Sequence, residues 1–150
     1  MDNPARYFED FKEGEQFLTP AKTITETDVV LFAGLTGDQN PLHTDEEFCK
    51  KHTLFNTRIA HGMLGLSVAY GLVSRLGLFD GTSIAALSVK SEYKKPIFIN
   101  DTIYAKITIA RKKETSKKDR GVIVRETQLI NQNQEVVQEI EMTAMVKRKP

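Results

Sequence analysis

The stretch Gly62-Met63-Leu64-Gly65-Leu66-Ser67-Val68-Ala69-Tyr70-Gly71-Leu72-Val73-Ser74-Arg75-Leu76 carries one charge, Arg75, and apolar or small side chains on its remaining faces. A helix buried on nearly every side reads this way. Gly65 and Gly71 each weaken it by roughly 1 kcal/mol relative to alanine, a cost that fits a backbone running close to a sheet. From Ser83 onward the period drops to two. Leu87, Val89 and Tyr93 alternate with Ser88, Lys90, Glu92 and Lys94, and Ile103, Ala105, Ile107 and Ile109 alternate with polar partners. Val122-Ile123-Val124 opens another such run, and Val136, Ile140, Met142, Ala144 and Val146 share one parity of a last. These patterns predict half-buried strands. The links at 96–101, 114–121 and 131–135 are rich in turn residues, so successive strands are expected to run antiparallel through short connections. The fold class that follows is α+β, a long antiparallel sheet with one apolar helix at 62–76 to wrap.

Before that helix, Thr25-Glu26-Thr27-Asp28 fits a capping box and predicts a helix of about ten residues ending near Gly34 or Gly37. A short strand at Gln16-Phe17-Leu18-Thr19 is confined by Pro20 to an edge or an end. Thr44-Asp45-Glu46-Glu47 is a second capping box, opening a short helix over 45–52. Between the two helices lies Thr36-Gly37-Asp38-Gln39-Asn40-Pro41-Leu42-His43, and eighteen residues after His43 come Ala60-His61-Gly62. All three histidines of the chain, His43, His52 and His61, fall in this region. Gly37 and Pro41 disfavour an extended helix, so Asp38 and His43 are expected on a turn-rich loop where a carboxylate and an imidazole can converge as an acid/base pair.

Composition bounds what this pair can serve. The chain has 150 residues, 40% of them apolar and 27% charged, the make-up of one soluble domain spanning residues 1–150. Twenty-one basic side chains against 20 acidic ones remove the electrostatic case for nucleic-acid binding. Met1-Asp2-Asn3-Pro4 offers neither the basic nor the apolar region of a signal peptide, and the uncharged or nearly uncharged run at 59–74 is too short to span a bilayer. A lone Cys49 forms no internal disulfide, and the cytoplasm is the compartment expected.

Asp38-x-Asn40-Pro41-x-His43 followed by Ala60-His61-Gly62 resembles the hydratase signature of the MaoC-like, (R)-specific enoyl-CoA hydratases, over nearly the whole chain. The resemblance implies a hotdog fold, a curled antiparallel sheet around one long helix. It implies Asp38 and His43 as the catalytic pair, and Gly62 as the backbone N–H that binds the thioester carbonyl. Asn40 and Pro41 then shape the loop, with His61 supporting it. The implied reaction is hydration of a trans-2-enoyl thioester to the (R)-3-hydroxyacyl product, or the reverse dehydration, with no cofactor and no metal. The acyl carrier is coenzyme A or an acyl carrier protein, and a homodimer or an assembly of dimers is implied.

The chemistry fits the residues. Water must reach C3 as a proton reaches C2, and charge gathers on the thioester oxygen, which an N–H at the first turn of a helix can stabilise. Plainer readings exist for each residue: a loop aspartate closing a turn, a histidine bonded to a carbonyl, glycines that merely pack. A zinc site on His43, His52 and His61 lacks the usual ligand spacing. Phe32, Phe48, Phe55 and Tyr70 are candidate pocket residues that could equally fill the core. The basic run 111–120 reads as a solvated hairpin tip or as an attractant for phosphates, and Lys94 and Lys95 read the same way. A hotdog thioesterase and a non-catalytic acyl-binding subunit are the rival functions.

Overall fold

The computed structural model describes residues 5–150. Met1-Asp2-Asn3-Pro4 lies outside the described residues. After a 3-10 turn at Phe8–Asp10 come strands β1 (Gln16–Leu18) and β2 (Lys22–Thr23), then helices α1 (Glu26–Thr36), α2 (Pro41–Thr44), α3 (Glu46–His52) and α4 (Gly62–Ser74). Four long strands complete the chain: β3 (Ser83–Tyr93), β4 (Thr102–Glu114), β5 (Arg120–Ile130) and β6 (Val136–Lys147).

The strands form one antiparallel sheet in the order β1-β4-β5-β6-β3, with β2 also paired to β4. In β4, Ile103, Ala105, Ile107 and Ile109 are all buried, as the alternation predicts; Ile103 and Ala105 share a core with α4, which packs on β4, β5 and β6, and Ile109 belongs to a second cluster. The main core joins Ile103 and Ala105 to Ile24, Val29, Leu64, Leu72, Leu129 and Val137. The second, smaller cluster under the first residues of the chain centres on Phe8, Phe11, Ile123 and Val146. The architecture is the α+β hotdog arrangement that the resemblance implies.

Three expectations need correction. The link at 96–101 does not join neighbours: β3 pairs with β6, in register Lys90↔Glu141, so the chain crosses the sheet before β4 begins. β3 is exposed along almost its whole length rather than half-buried, because it is an edge strand with no other layer over it. Finally, α4 ends at Ser74, and Met63, Ser67, Gly71 and Ser74 form an exposed stripe on it. The close-approach account of its glycines holds at Gly65, where an added Cβ would lie 2.6 Å from Gln138 Oε1, and fails at Gly71, where nothing lies within 4 Å.

Capping follows the sequence closely at α1. Thr25 accepts the Asp28 N–H while Asp28 accepts the Thr25 N–H at 2.8 Å, and the helix closes on Gly37 in the left-handed region at φ 77. Burial alone would raise the Asp28 pKa, but the N–H and hydroxyl of Thr25 and the ammonium of Lys22 outweigh it and hold the carboxyl below its usual range. At α3 the cap is Asp45, which accepts the Phe48 N–H at 2.9 Å; Thr44 instead closes the preceding turn.

Candidate functional site

Asn40 and Pro41 make the local structure that carries His43. The Asn40 side chain accepts the Leu42 N–H at 3.0 Å, and Pro41, with its preset φ and missing N–H, starts the single helical turn of α2. That turn swings His43 inward, where it is buried. Opposite it, the segment leading to α4 is tied down by its own backbone. Ile59 N–H donates to the Leu42 carbonyl at 3.3 Å, and Ala60 N–H donates to Ile97 O at 2.8 Å. Arg58 anchors the same segment to α1 and α3 through Glu26 at 2.8 Å and Glu46 at 3.4 Å.

The imidazole of His43 is fixed by one bond. Its Nδ1 lies 2.7 Å from the Ile59 carbonyl, which can only accept, so Nδ1 carries hydrogen and Nε2 is left for chemistry. His61 stacks on it with ring centroids 3.8 Å apart and donates from Nε2 to the Asp38 carbonyl at 3.0 Å. His61 is thus tied to the backbone of the Asp38 loop and occupies the N-cap position of α4, with no side-chain capping bond. Its Nδ1 is buried without a partner. Phe32 of α1 leans on the same ring at 5.1 Å.

Asp38 is exposed, and its carboxylate accepts the Asn40 N–H at 3.3 Å, so it does close a turn. It also converges: one side-chain atom each from Asp38, His43 and His61 lie within 4.8 Å of one another. A metal ion could be offered these three ligands. The two rings are stacked, and one nitrogen of each already faces a backbone carbonyl, which leaves one nitrogen per ring for a ligand or a proton. His52, the third member of the dismissed zinc triad, is exposed at the end of α3 and packs on Phe48.

Gly62 is the first residue of α4, so its N–H has no acceptor within the helix. A Cβ there would meet the Tyr93 ring at 2.5 Å, which explains glycine by space rather than by dihedral angle. Gly62 and His43 share the wall of a cavity of about 600 Å³ that also includes Phe55, Met63, Tyr93 and Gln138. A second depression, of about 460 Å³, lies among alternating charges such as Lys106, Glu126 and Glu141 on the outer sheet face and contains none of these groups.

The sequence did not mark Tyr93 or Gln138. Tyr93 shares a parity with Leu87 and Val89, and nothing in the pattern says that it covers Gly62. Gln138 carried a usable signal: it is a polar residue on the parity of Ile140, Met142 and Ala144. It is buried, donates from Nε2 to Ser91 Oγ at 2.7 Å, and leaves Oε1 without a partner. Of the aromatic candidates, Phe55 lines the cavity, Tyr70 lies deeper along α4, and Phe32 and Phe48 lie outside the wall. Cys49 is buried beneath α2; burial first, then the charges of Glu46 and Asp45, push its thiol pKa up, away from thiolate chemistry. The basic run is an exposed hairpin end whose Arg111 and Arg120 already pair with Glu141 and Asp119.

Similarity to known proteins bears on the fold and the family. The chain is 43% identical over 104 residues to the (R)-specific enoyl-CoA hydratase of Rhodospirillum rubrum, covering 69% of each chain. Among solved structures, the monoamine oxidase regulatory protein from Archaeoglobus fulgius superposes with a TM-score of 0.90 at 37% identity, over 97% of both chains. A Mycobacterium tuberculosis protein described as a double hotdog fold matches with a TM-score of 0.88 over 100% of this chain and 46% of its own, at 20% identity, which bears on the fold alone. A model of the MaoC like domain matches residues 10–144, and the chain belongs to that family of dehydratase-type hotdog proteins.

Proposed function

We propose that the chain is a hydro-lyase that hydrates trans-2-enoyl thioesters of coenzyme A to (R)-3-hydroxyacyl thioesters and runs the reverse dehydration. Family membership and the hydratase from Rhodospirillum support the reaction class, and the product hand follows that relative. The observation that supports it most is the Ile59 carbonyl on His43 Nδ1, which leaves Nε2 as the lone-pair nitrogen of a ring that has a nitrogen within 4.8 Å of an Asp38 carboxylate oxygen. In this reading Nε2 takes a proton from a water that Asp38 also holds. The water oxygen bonds to C3, and the C2=C3 electron pair moves toward the thioester as an enolate whose oxygen accepts the Gly62 N–H. The imidazolium then returns its proton to C2, so no net proton is gained or lost. Asn40, Pro41 and His61 act through the loop they hold.

The same reading takes residues 1–150 as one cytoplasmic domain. Among the described residues no helix is long and apolar enough to cross a membrane. It also takes the working form as a homodimer joined at the exposed β3 edge. The assay is loss of conjugated enoyl-thioester absorbance with short and medium trans-2-enoyl-CoAs. Asp38→Asn and His43→Ala, each shown to be folded, are expected to lose on the order of a hundredfold or more in kcat. Full activity in either variant, or release of free thiol from an acyl-CoA, would reject the proposal.

A further inference from the structure

Beyond the candidate site the most unusual group in the molecule is Arg125 of β5. It is 7% exposed, and among the described residues no carboxylate pairs with it. Its guanidinium lies 5.5 Å from the Tyr70 ring centroid and 5.0 Å from that of Phe79, with Nη2 2.7 Å from Met142 Sδ. Aromatic faces attract a cation but do not neutralise it, and buried charges in proteins are ordinarily paired. Burial pushes the Arg125 pKa down, yet a guanidinium stays charged at any physiological pH. A cavity of about 210 Å³ opens beside it, walled by Tyr70, Val73, Phe79 and Met142 and by the exposed Asp80.

This cavity and the candidate site share two elements. Gly62 and Met63 at the start of α4 face the site cavity, and Tyr70 and Val73 further along face the second; on β6 Gln138 belongs to the first and Met142 to the second. Against the second cavity lies a void of about 10 Å³ lined by Ala69, Val73 and Ile140; it shares Tyr70, Arg125 and Met142 with that cavity and no residue with the first, so a chain joining the two must part these side chains. The eight residues from Gly62 to Tyr70 span roughly 12 Å of helix, and an extended chain gains about 1.2 Å per bond. An acyl chain whose thioester sits at Gly62 and which runs along α4 reaches the level of Tyr70, the ring on which Arg125 lies, after about ten bonds.

We propose that Arg125 and its cavity form a carboxylate subsite, so that the preferred substrates are thioesters whose acyl chain ends in a second carboxylate. The inference rests on the reading of Gly62 as the thioester end. A carboxylate arriving there would gain a charge-assisted, two-point contact with a guanidinium that is itself buried, and would supply the counter-charge that the chain itself withholds. Asp80 lines the same cavity, so a bound carboxylate must sit closer to the guanidinium than to Asp80.

The test separates binding from turnover by using saturated thioesters that cannot be hydrated. Calorimetric titration would compare the coenzyme A monothioesters of suberic and sebacic acid with octanoyl- and decanoyl-CoA. The wild-type protein is expected to bind the better-fitting diacid thioester about tenfold more tightly than its neutral counterpart, the scale of one charge-assisted contact. Arg125→Met should abolish that preference while keeping affinity for the neutral chains, and Arg125→Lys should retain part of it. Should Arg125→Met fail to fold, the wild-type comparison alone decides. Equal affinity for charged and neutral chains in the wild type would overturn the proposal and assign the counter-charge of Arg125 to another source, such as a second copy of the chain. A diacid preference with no hydration of any matching enoyl thioester would keep the subsite and reject the hydratase reading; hydration of neutral chains with no such preference would do the reverse.

Discussion

Strands β3 and β4 look alike in sequence and behave in opposite ways. Both alternate apolar and polar residues over a similar length, and both belong to the same antiparallel sheet. In β4 the apolar parity is sealed: Ile103 and Ile109 are 0% exposed. In β3, Leu87 is 49% exposed and Val89 43%. The difference comes from position. β4 has neighbours on both sides and α4 across its inner face, whereas β3 has only β6 beside it. Period-two alternation reports that a strand owns an apolar face; it does not report whose atoms cover that face. A long edge strand with exposed apolar side chains is an unprotected pairing surface, and that is the physical support for placing a second copy there.

The largest effect that sharpens this contrast is Ile107→Ala in β4. Ile107 is buried in the sheet, so its truncation should cost about 2–5 kcal/mol in urea unfolding, with the midpoint shifted and the slope unchanged. A cost below about 1 kcal/mol would mean that the sheet interior is not packed as described. Leu87→Asp in β3 gives the counterpart. It should leave the unfolding free energy of the separated chain within about 0.5 kcal/mol while converting a dimer to a monomer by light scattering. A monomeric wild type at working concentration would break the proposed pairing outright. The smallest effect calibrates exposed structure that needs no second copy: Asp28→Ala, at the start of α1, should cost about 1 kcal/mol near neutral pH. Because the folded carboxyl titrates below its ordinary value of 3.8, its contribution is present above that pH and fades as pH falls through the folded value. Wild type and variant should therefore converge in acid, and a difference that persists at the lowest pH would assign the effect to packing instead.

Legibility from sequence divides along the same line. Features set by local chemistry were readable: the Thr25 and Asp28 cap, the Gly37 stop, the alternation of β4, the apolar α4. That Asp38 and His43 converge was readable because fixed spacing on a turn leaves few places for them to go; Gly62 shares a cavity wall with His43, and Asp38 does not line it. What local chemistry does not encode was missed or misread. The crossing of the chain that pairs β3 with β6 is a matter of global topology, and nothing in the 96–101 link announces it. Gly71 resembles Gly65 in the sequence, yet only Gly65 has Ile97 and Gln138 pressed against it. Tyr93 reads as one more member of an alternating strand and becomes part of the site only once α4 is laid beneath it. Arg125 breaks the apolar run of β5, an anomaly visible in the sequence whose meaning required the rings of Tyr70 and Phe79.

Tyr93 links the two themes. It is the last residue of the exposed edge strand, and its ring also lies against Gly62 with its hydroxyl 3.3 Å from Met63 Sδ, roofing the helix start. Under the proposed pairing of β3, anything that orders this strand also orders the roof over the thioester end. Association and ligand binding are then thermodynamically linked, so each strengthens the other by the same factor. Dilution would lower specific activity before it unfolded the chain, and a tight substrate analogue would draw separated chains together.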